Sequence, residues 1–372
     1  MSFISEVKKH PAFEQIPPSF KKWLALRFLF GKKPEKVGDR YFLSMHLPLF
    51  PSKAFDRFLW AQVEISKGNK VLEIASIEVT RRCDMNCGHC AFPKASMELS
   101  ASQINAILVQ VKELLPYSYI ITGGDPLKRD DIKAILSTIK GEGAVNIFTP
   151  GQLLTYGRAV SLKKAGATGI FIGIDSPYEE RNDEIKGRKG AFKSALKAIE
   201  AAKKAGLFVG ISSVMMPDST KKELHDLIKL GMETGVREID LFEAISQSKG
   251  LYGTPSLQRA LFKVQKKAKK KWPMIISGPY MDSPEFMGCT AGFNRIHIDY
   301  KGNAMACSVM PYVVGSALDT PVKELWEKMY RMPGSVCMAK ECVKKRLDGD
   351  ACLRTDDGKS PFYYAKLTEE RK

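Results

Sequence analysis

No part of the chain approaches the roughly 20 uninterrupted apolar residues that a bilayer-spanning helix needs. Residues 1–10 likewise contain no apolar core of the kind that marks a secretory signal. These two absences predict a cytoplasmic protein. Acidic residues are in short supply: 41 Asp and Glu stand against 58 Lys and Arg, a net charge of +17 over 372 residues. Such an excess predicts an anionic partner, whether nucleic acid, an anionic membrane face or a phosphorylated substrate. Part of it sits in Arg259–Lys271, where the plain reading is a solvated helix face. With 44% hydrophobic and 27% charged residues, the chain is no disordered tail, collagen or disulfide-stapled miniprotein. At about 150 residues per domain it is long enough for two or three folded units.

Cysteine is missing between Cys90 and Cys289. The eight cysteines fall into two groups: Cys83, Cys87 and Cys90, then Cys289, Cys307, Cys337, Cys342 and Cys352. Thiols used only as small apolar residues would scatter. Clustering in a cytoplasmic chain points to metal or redox chemistry. The first group has the spacing C-x3-C-x2-C and follows a strand-like run over residues 72–80. Short loops between thiolates grip a small cluster from one side, and soft sulfur favours iron–sulfur or zinc. Three thiolates leave a cubane with one open iron, free to bind a small molecule. A structural zinc would want a fourth ligand, and His89, lying between two of the cysteines, is poorly placed to close the site.

This segment resembles the cluster-binding loop of the radical S-adenosylmethionine (SAM) superfamily, and the similarity continues for about two hundred residues. Gly123, Gly124, Asp125 and Pro126 resemble the family's glycine-rich motif, with Asp replacing the more usual Glu. Asp175 and Ser176 end a run resembling the fourth-strand motif, where Gly173 replaces a common serine. The stretch 184–192 resembles the loop that brings a cation to the SAM carboxylate. Lys186 matches by register and Arg188 lies two residues on, so the choice between them stays open. Ser212 falls at the end of the fifth strand, where relatives make another ribose or adenine contact. The resemblance implies a [4Fe-4S] cluster on Cys83, Cys87 and Cys90, with SAM on its open iron. It further implies a reductant such as flavodoxin or ferredoxin, and a 5′-deoxyadenosyl radical that abstracts hydrogen from an unactivated carbon.

Strand-like runs at 72–80, 118–121, 144–148, 168–174, 208–214 and 238–242 alternate with amphipathic stretches such as 100–115 and 191–205. The pattern predicts an α/β fold: a partial (β/α)6 TIM-type barrel over 71–280, with its site at the C-terminal strand ends. A small iron–sulfur domain is expected over 281–372. There Cys289, twelve residues, Gly302, four residues and Cys307 resemble the opening of SPASM and twitch extensions, and alternation predicts a hairpin turning at Lys301–Asn303. Five cysteines are too few for two auxiliary cubanes, so one auxiliary [4Fe-4S] cluster is expected. Cys289, Cys307, Cys337 and Cys352 are one ligand set that leaves Cys342 over, and structural zinc is the alternative.

Residues 1–70 form a mainly helical extension carrying 13 Lys or Arg and 6 Asp or Glu. A helix near 18–30 mixes Phe20, Trp23, Leu24 and Phe28 with Lys21, Lys22 and Arg27, and 41–51 is a second apolar stretch. Two readings compete: an interfacial helix on the inner membrane face, or packing against the barrel. The extension is too short for a cobalamin domain, so no cobalamin is expected. A membrane lipid or other long apolar substrate is the leading functional expectation. The alternatives are a peptide-modifying enzyme and, outside enzymes, a metal-containing nucleic-acid-binding module using Lys263–Lys271. No general acid or base stands out among His46, His89, His297, Tyr280 and Tyr312.

Overall fold

The structure is a computed structural model that describes residues 3–29, 34–90, 94–244, 274–277, 291–308 and 313–331, with positions 260 and 263. Six parallel strands follow one another in the sheet: β3 (Ile74–Thr80), β4 (Ser118–Gly123), β5 (Ala144–Thr149), β6 (Gly169–Gly173), β7 (Phe208–Met215) and β8 (Glu238–Glu243). Each lies within two residues of the run expected from alternation. Two pairings at the sheet edges were not foreseen. A seventh parallel strand, β9 (Met274–Ser277), pairs with β8, and β10 (Arg295–Ile298) pairs in parallel with the other edge, on β3. From β10 an antiparallel meander continues through β11 (Asn303–Met305) and β12 (Val313–Ser316). The β10–β11 turn is the one expected: Gly302 takes φ +89°, and the Asp299 carboxylate accepts from the Lys301 and Asn303 amides at 2.8 Å each.

Alternation sorts the two faces of the sheet. Ala75, Ile77 and Val79 on β3, Tyr119 and Ile121 on β4, and Ile170 and Ile172 on β6 are buried in the core shared with the outer helices. Those helices begin where capping residues satisfy the free amides of the first turn. Ser100 and Gln103 form a capping box at α5 (Ala101–Glu113), while Thr155 and Thr220 cap α7 (Tyr156–Ala165) and α10 (Lys221–Thr234). Between α5 and α7 lies α6 (Ile132–Thr138), and between α7 and α10 lie α8 (Glu179–Lys186) and α9 (Ala191–Lys204). The opposite face of the sheet is more polar. Ser76, Glu78, Thr122, Asn146, Ser212 and Asp240 alternate with the core residues, and Thr122, Gly173, Ser212 and Val214 near the C-terminal strand ends remain half-buried.

The N-terminal extension comprises α1 (Phe3–Val7), α2 (Pro11–Gln15), α3 (Pro18–Leu29), the hairpin β1 (Glu35–Val37) and β2 (Arg40–Phe42), and α4 (Lys53–Ser66). Its apolar side chains turn inward. Phe20, Leu24, Leu43, Leu47, Phe50, Phe55 and Phe58 form one buried cluster with Tyr117 and Phe293. The side chains of Trp23 and Phe28 lie outside the described residues. Packing against the barrel, the second of the two readings, therefore accounts for both apolar stretches where they are described. No described helix is long and apolar enough to cross a membrane.

Residues 42–46 plug the barrel at its N-terminal mouth. The Met45 amide donates to Glu238 at the start of β8 (2.9 Å), and its carbonyl accepts from Asn146 on β5 (2.7 Å). Gly169 and Gly210 make room, since a Cβ on either would overlap the Met45 side chain. A buried Glu73 ties the rear together by accepting from Gln62 on α4, Tyr117 and Asn294. At the far edge Lys70 donates to the Trp326 carbonyl on α11 (Val322–Arg331) and lies 3.7 Å from the centre of its ring. Burial, opposed in part by Glu327, lowers the Lys70 pKa to about 7 from 10.5. Between those values the unfolded chain binds the extra proton, so this group makes stability rise with pH across that window. Lys70→Met is expected to flatten the rise of stability with pH above pH 7, as read by urea denaturation.

Candidate active site

The loop carrying Cys83, Cys87 and Cys90 leaves the C-terminal end of β3. Two carbonyls at the C-terminus of α8 would otherwise go unpaired. They accept from this loop instead: Asn86 N to Lys186 O at 2.9 Å and Gly88 N to Ile185 O at 2.8 Å. Gly187 ends α8 at φ +59°, and a Cβ there would strike the Asn86 backbone. The other side of the loop is held by the Gly123–Asp125 turn, through Gly124 N to Thr80 O (2.8 Å) and Asp125 N to Arg82 O (2.9 Å). A Cβ on Gly123 would collide with Thr80 and one on Gly124 with Arg81 and Arg82. Both glycines are therefore required by backbone contact with the cysteine loop itself. Buried Arg129 braces the base, donating to the Val79 and Leu99 carbonyls at 2.9 Å each and gripping Asp131 with two 2.7 Å bonds.

Cys83 and Cys87 are half-buried and Cys90 is exposed. Burial pushes the Cys87 thiol up to about 11, with Lys186 pulling against it, and raises Cys83 as well. The three sulfurs lie near enough that a charge on one opposes ionisation of its neighbours. A metal centre removes that repulsion, because coordinated thiols deprotonate. Three soft donors on one short loop suit an iron–sulfur cluster.

Beside this loop lies a buried ion pair. Lys186 Nζ is 2.6 Å from Asp175 Oδ2, both side chains being under a tenth exposed. Burial alone would raise the Asp175 carboxyl, but Lys186 and His89 outweigh it and hold it below the usual range. His89 Nδ1 approaches the same oxygen at 3.5 Å, and Asp175 Oδ1 accepts from the Val214 amide at 2.9 Å. The glycine at 173 has a direct explanation: a Cβ there would lie 3.1 Å from Lys186 Nζ. The choice between Lys186 and Arg188 is thus a geometric one. Arg188 is exposed, with Nη1 3.4 Å from the Asp84 carbonyl.

The remaining expected residues divide in two. Ser212 is half-buried on the inner face of the sheet, beside Gly173 in register. Asp125 and Ser176 are buried and already engaged: Asp125 accepts from Leu127 N and Thr149, and Ser176 donates to Glu223 at 2.6 Å. Of the later cysteines only Cys307 is described, half-buried after β11. Cys289, Cys337, Cys342 and Cys352 lie outside the described residues, as do Tyr280, Tyr312 and all of the Lys263–Lys271 run except the exposed Lys263. Sequence reasoning missed the contributions of His89, Thr149 and Arg129. For His89 the signal was its position inside the cysteine motif; the other two carried none.

Two family models match, Radical SAM superfamily over residues 77–231 and SPASM, an iron–sulfur cluster-binding domain, over residues 289–348. An AdoMet-dependent heme synthase from Oleidesulfovibrio alaskensis is 25% identical over 299 residues, 71% of this chain and 76% of that one. The PqqA peptide cyclase of Streptomyces rochei is 24% identical over 271 residues, 67% and 74% of the two chains. Among solved structures, Streptococcus suis SuiB bound to precursor peptide SuiA shares the fold with a TM-score of 0.61. Its identity is 16%, covering 73% of this chain and 68% of that one. With its three-cysteine loop at the C-terminal end of β3 and its parallel partial barrel, this chain is a radical SAM enzyme carrying a C-terminal SPASM domain.

Proposed function

We propose that this enzyme modifies a peptide or protein substrate. Cys83, Cys87 and Cys90 would hold a [4Fe-4S] cluster with SAM at its open iron, and the later cysteines one auxiliary [4Fe-4S] cluster. When bound, this pair supplies reductive cleavage of SAM and the 5′-deoxyadenosyl radical that removes a substrate hydrogen. The protein's share is positional. The geometry carrying the SAM reading is the Lys186–Asp175 pair beside the cysteine loop. Lys186 is the cation for the SAM carboxylate, and Asp175 fixes its Nζ in place. Ser212 and the carbonyls of the Gly123–Gly124 turn line the same end of the barrel and would bind the rest of SAM, whereas Arg188 is a rim residue.

Two findings favour a peptide over the lipid first expected. The PqqA peptide cyclase is a relative by sequence, and SuiB, which shares the fold, was solved with a precursor peptide. The described apolar residues of the N-terminal extension, which had prompted the lipid reading, are used in packing. The heme synthase relatives favour a second reading, a tetrapyrrole substrate. Reductants of the flavodoxin or ferredoxin type remain the proposed electron source.

The test is 5′-deoxyadenosine formation by the anaerobically reconstituted enzyme with dithionite and SAM. Peptide extract, protease-treated peptide extract, lipid extract and porphyrin precursors are added in parallel. The peptide reading expects stimulation by the first that protease abolishes. Stimulation confined to lipid or to the tetrapyrroles would overturn it in favour of that substrate.

A further inference from the structure

At the end of the barrel opposite the cysteines, the plug at 42–46 meets the start of β8 in a group that the SAM site does not use. His46 Nε2 lies 2.9 Å from Asp240 Oδ2 and 3.4 Å from Glu238 Oε1. Glu238 is fully buried and Asp240 is 2% exposed. Neither carboxylate is there by accident of surface crowding. Each points off the inner face of β8, where burying an ionised carboxylate is costly unless a cation or donors compensate.

The donors around the group are unevenly shared. Glu238 accepts from the Met45 amide at 2.9 Å and from Ser44 Oγ at 3.3 Å, and Ser44 Oγ in turn accepts from the His46 amide at 3.1 Å. Asp240 receives only His46: its Oδ1 is buried and makes no hydrogen bond among the described residues, and the same holds for His46 Nδ1. A buried acceptor left unmet costs about 1–3 kcal/mol, so an orphaned oxygen on a buried acid calls for a partner. The His46 ring is fixed from below by stacking on Phe171, with centroids 5.3 Å apart.

We propose that His46, Glu238 and Asp240 bind a divalent cation of the manganese, iron(II) or zinc class, which pins the N-terminal plug to the barrel. One nitrogen and two carboxylates form a donor set these ions accept. All three ligand atoms lie within 4.8 Å of one another. For an ion about 2.1 Å from each ligand, the 2.9 and 3.4 Å separations subtend roughly 90° and 110°, within the octahedral to tetrahedral range. The ion would sit between the carboxylates, and chelation through both Asp240 oxygens would engage the unmet Oδ1 as well as Oδ2. Because His46 comes from the plug and the acids from β8, the ion bridges two parts of the chain that no covalent neighbour joins. The rival occupant is a proton: with no metal, the carboxylates keep His46 charged in the same place. The positive charge of Arg295 is felt at His46 too and works against a charge on the ring, while the two carboxylates work for it.

The experiment titrates the reconstituted full-length enzyme with Mn(II) and follows bound ion by loss of the free-ion EPR signal. Manganese is chosen because it prefers oxygen and nitrogen to the cysteine thiolates. The wild type should bind a single Mn(II) and gain thermal stability from it, as any ligand of the folded state confers. Asp240→Asn, which keeps shape and fold, and His46→Ala should each weaken binding by about tenfold or more and lose the thermal gain. Unchanged iron content and circular dichroism certify that the variants are folded. No Mn(II) bound by the wild type, or equal binding by all three proteins, would overturn the site and leave His46 as an imidazolium between two acids.

Discussion

Cys87→Ala is expected to reduce 5′-deoxyadenosine formation to background and to remove the iron bound at the first motif, while leaving the fold intact. The two effects separate because the loop is held by its backbone rather than by its sulfurs. Asn86 and Gly88 donate to the end of α8, and Gly124 and Asp125 donate to Thr80 and Arg82, whatever side chain stands at 87. Loss of one half-buried thiol should therefore cost about 1 kcal/mol of stability. A three-ligand cluster has no spare donor, so loss of one ligand undoes it. Iron analysis, 5′-deoxyadenosine by chromatography and thermal melting give the three readouts. Full retention of SAM cleavage would sink the cluster assignment.

The second large effect is expected at Lys186. Among the described residues, Lys186→Ala leaves the buried Asp175 carboxylate with the more distant His89 and the Val214 amide to meet its charge. Breaking a buried pair from one side typically costs about 3–5 kcal/mol. SAM binding should also fall, through loss of the cation proposed for its carboxylate. A double variant, Lys186→Met with Asp175→Asn, separates the two causes. Removing both charges should recover most of the stability, yet SAM affinity measured by calorimetry should stay low. Recovery of both together would mean that Lys186 serves the fold alone. By contrast Arg188→Ala, at an exposed position whose contacts among the described residues are long ones to Asp84, should change stability by less than about 0.5 kcal/mol.

These two positions also show how much of the site could be read before any fold was known. The cysteine spacing was legible because a loop of eight residues brings its thiols together by local chain geometry. The Lys186–Arg188 ambiguity was not, since both lie on one short turn and differ only in direction. The αL residue Gly187 between them sends Lys186 inward to Asp175 and leaves Arg188 at the rim. Ser176 reads as a cofactor contact from its place after the fourth strand, but its hydroxyl is spent on Glu223, 47 residues away in the chain. The N-terminal apolar stretches misled for the opposite reason. Phe20 and Leu24 look amphipathic beside lysines, and only the cluster with Tyr117 and Phe293 shows what covers them.

What the chain's order of residues determined by itself was everything with a short period: six strands from two-residue alternation, the amphipathic helices between them, the Gly302 hairpin and the three-thiol loop. Hydrogen bonds and side-chain direction over a few neighbours are enough for those. What the tertiary structure alone decided was which charges meet. Lys186 found Asp175, Glu73 found Asn294, and His46 found Asp240 and Glu238 across 194 and 192 residues respectively. The β10 edge joined β3 to extend the sheet. Buried polar groups must be paired wherever the chain can bring a partner, and closing a sheet around an interior sets that partner by position in space, independently of separation along the chain.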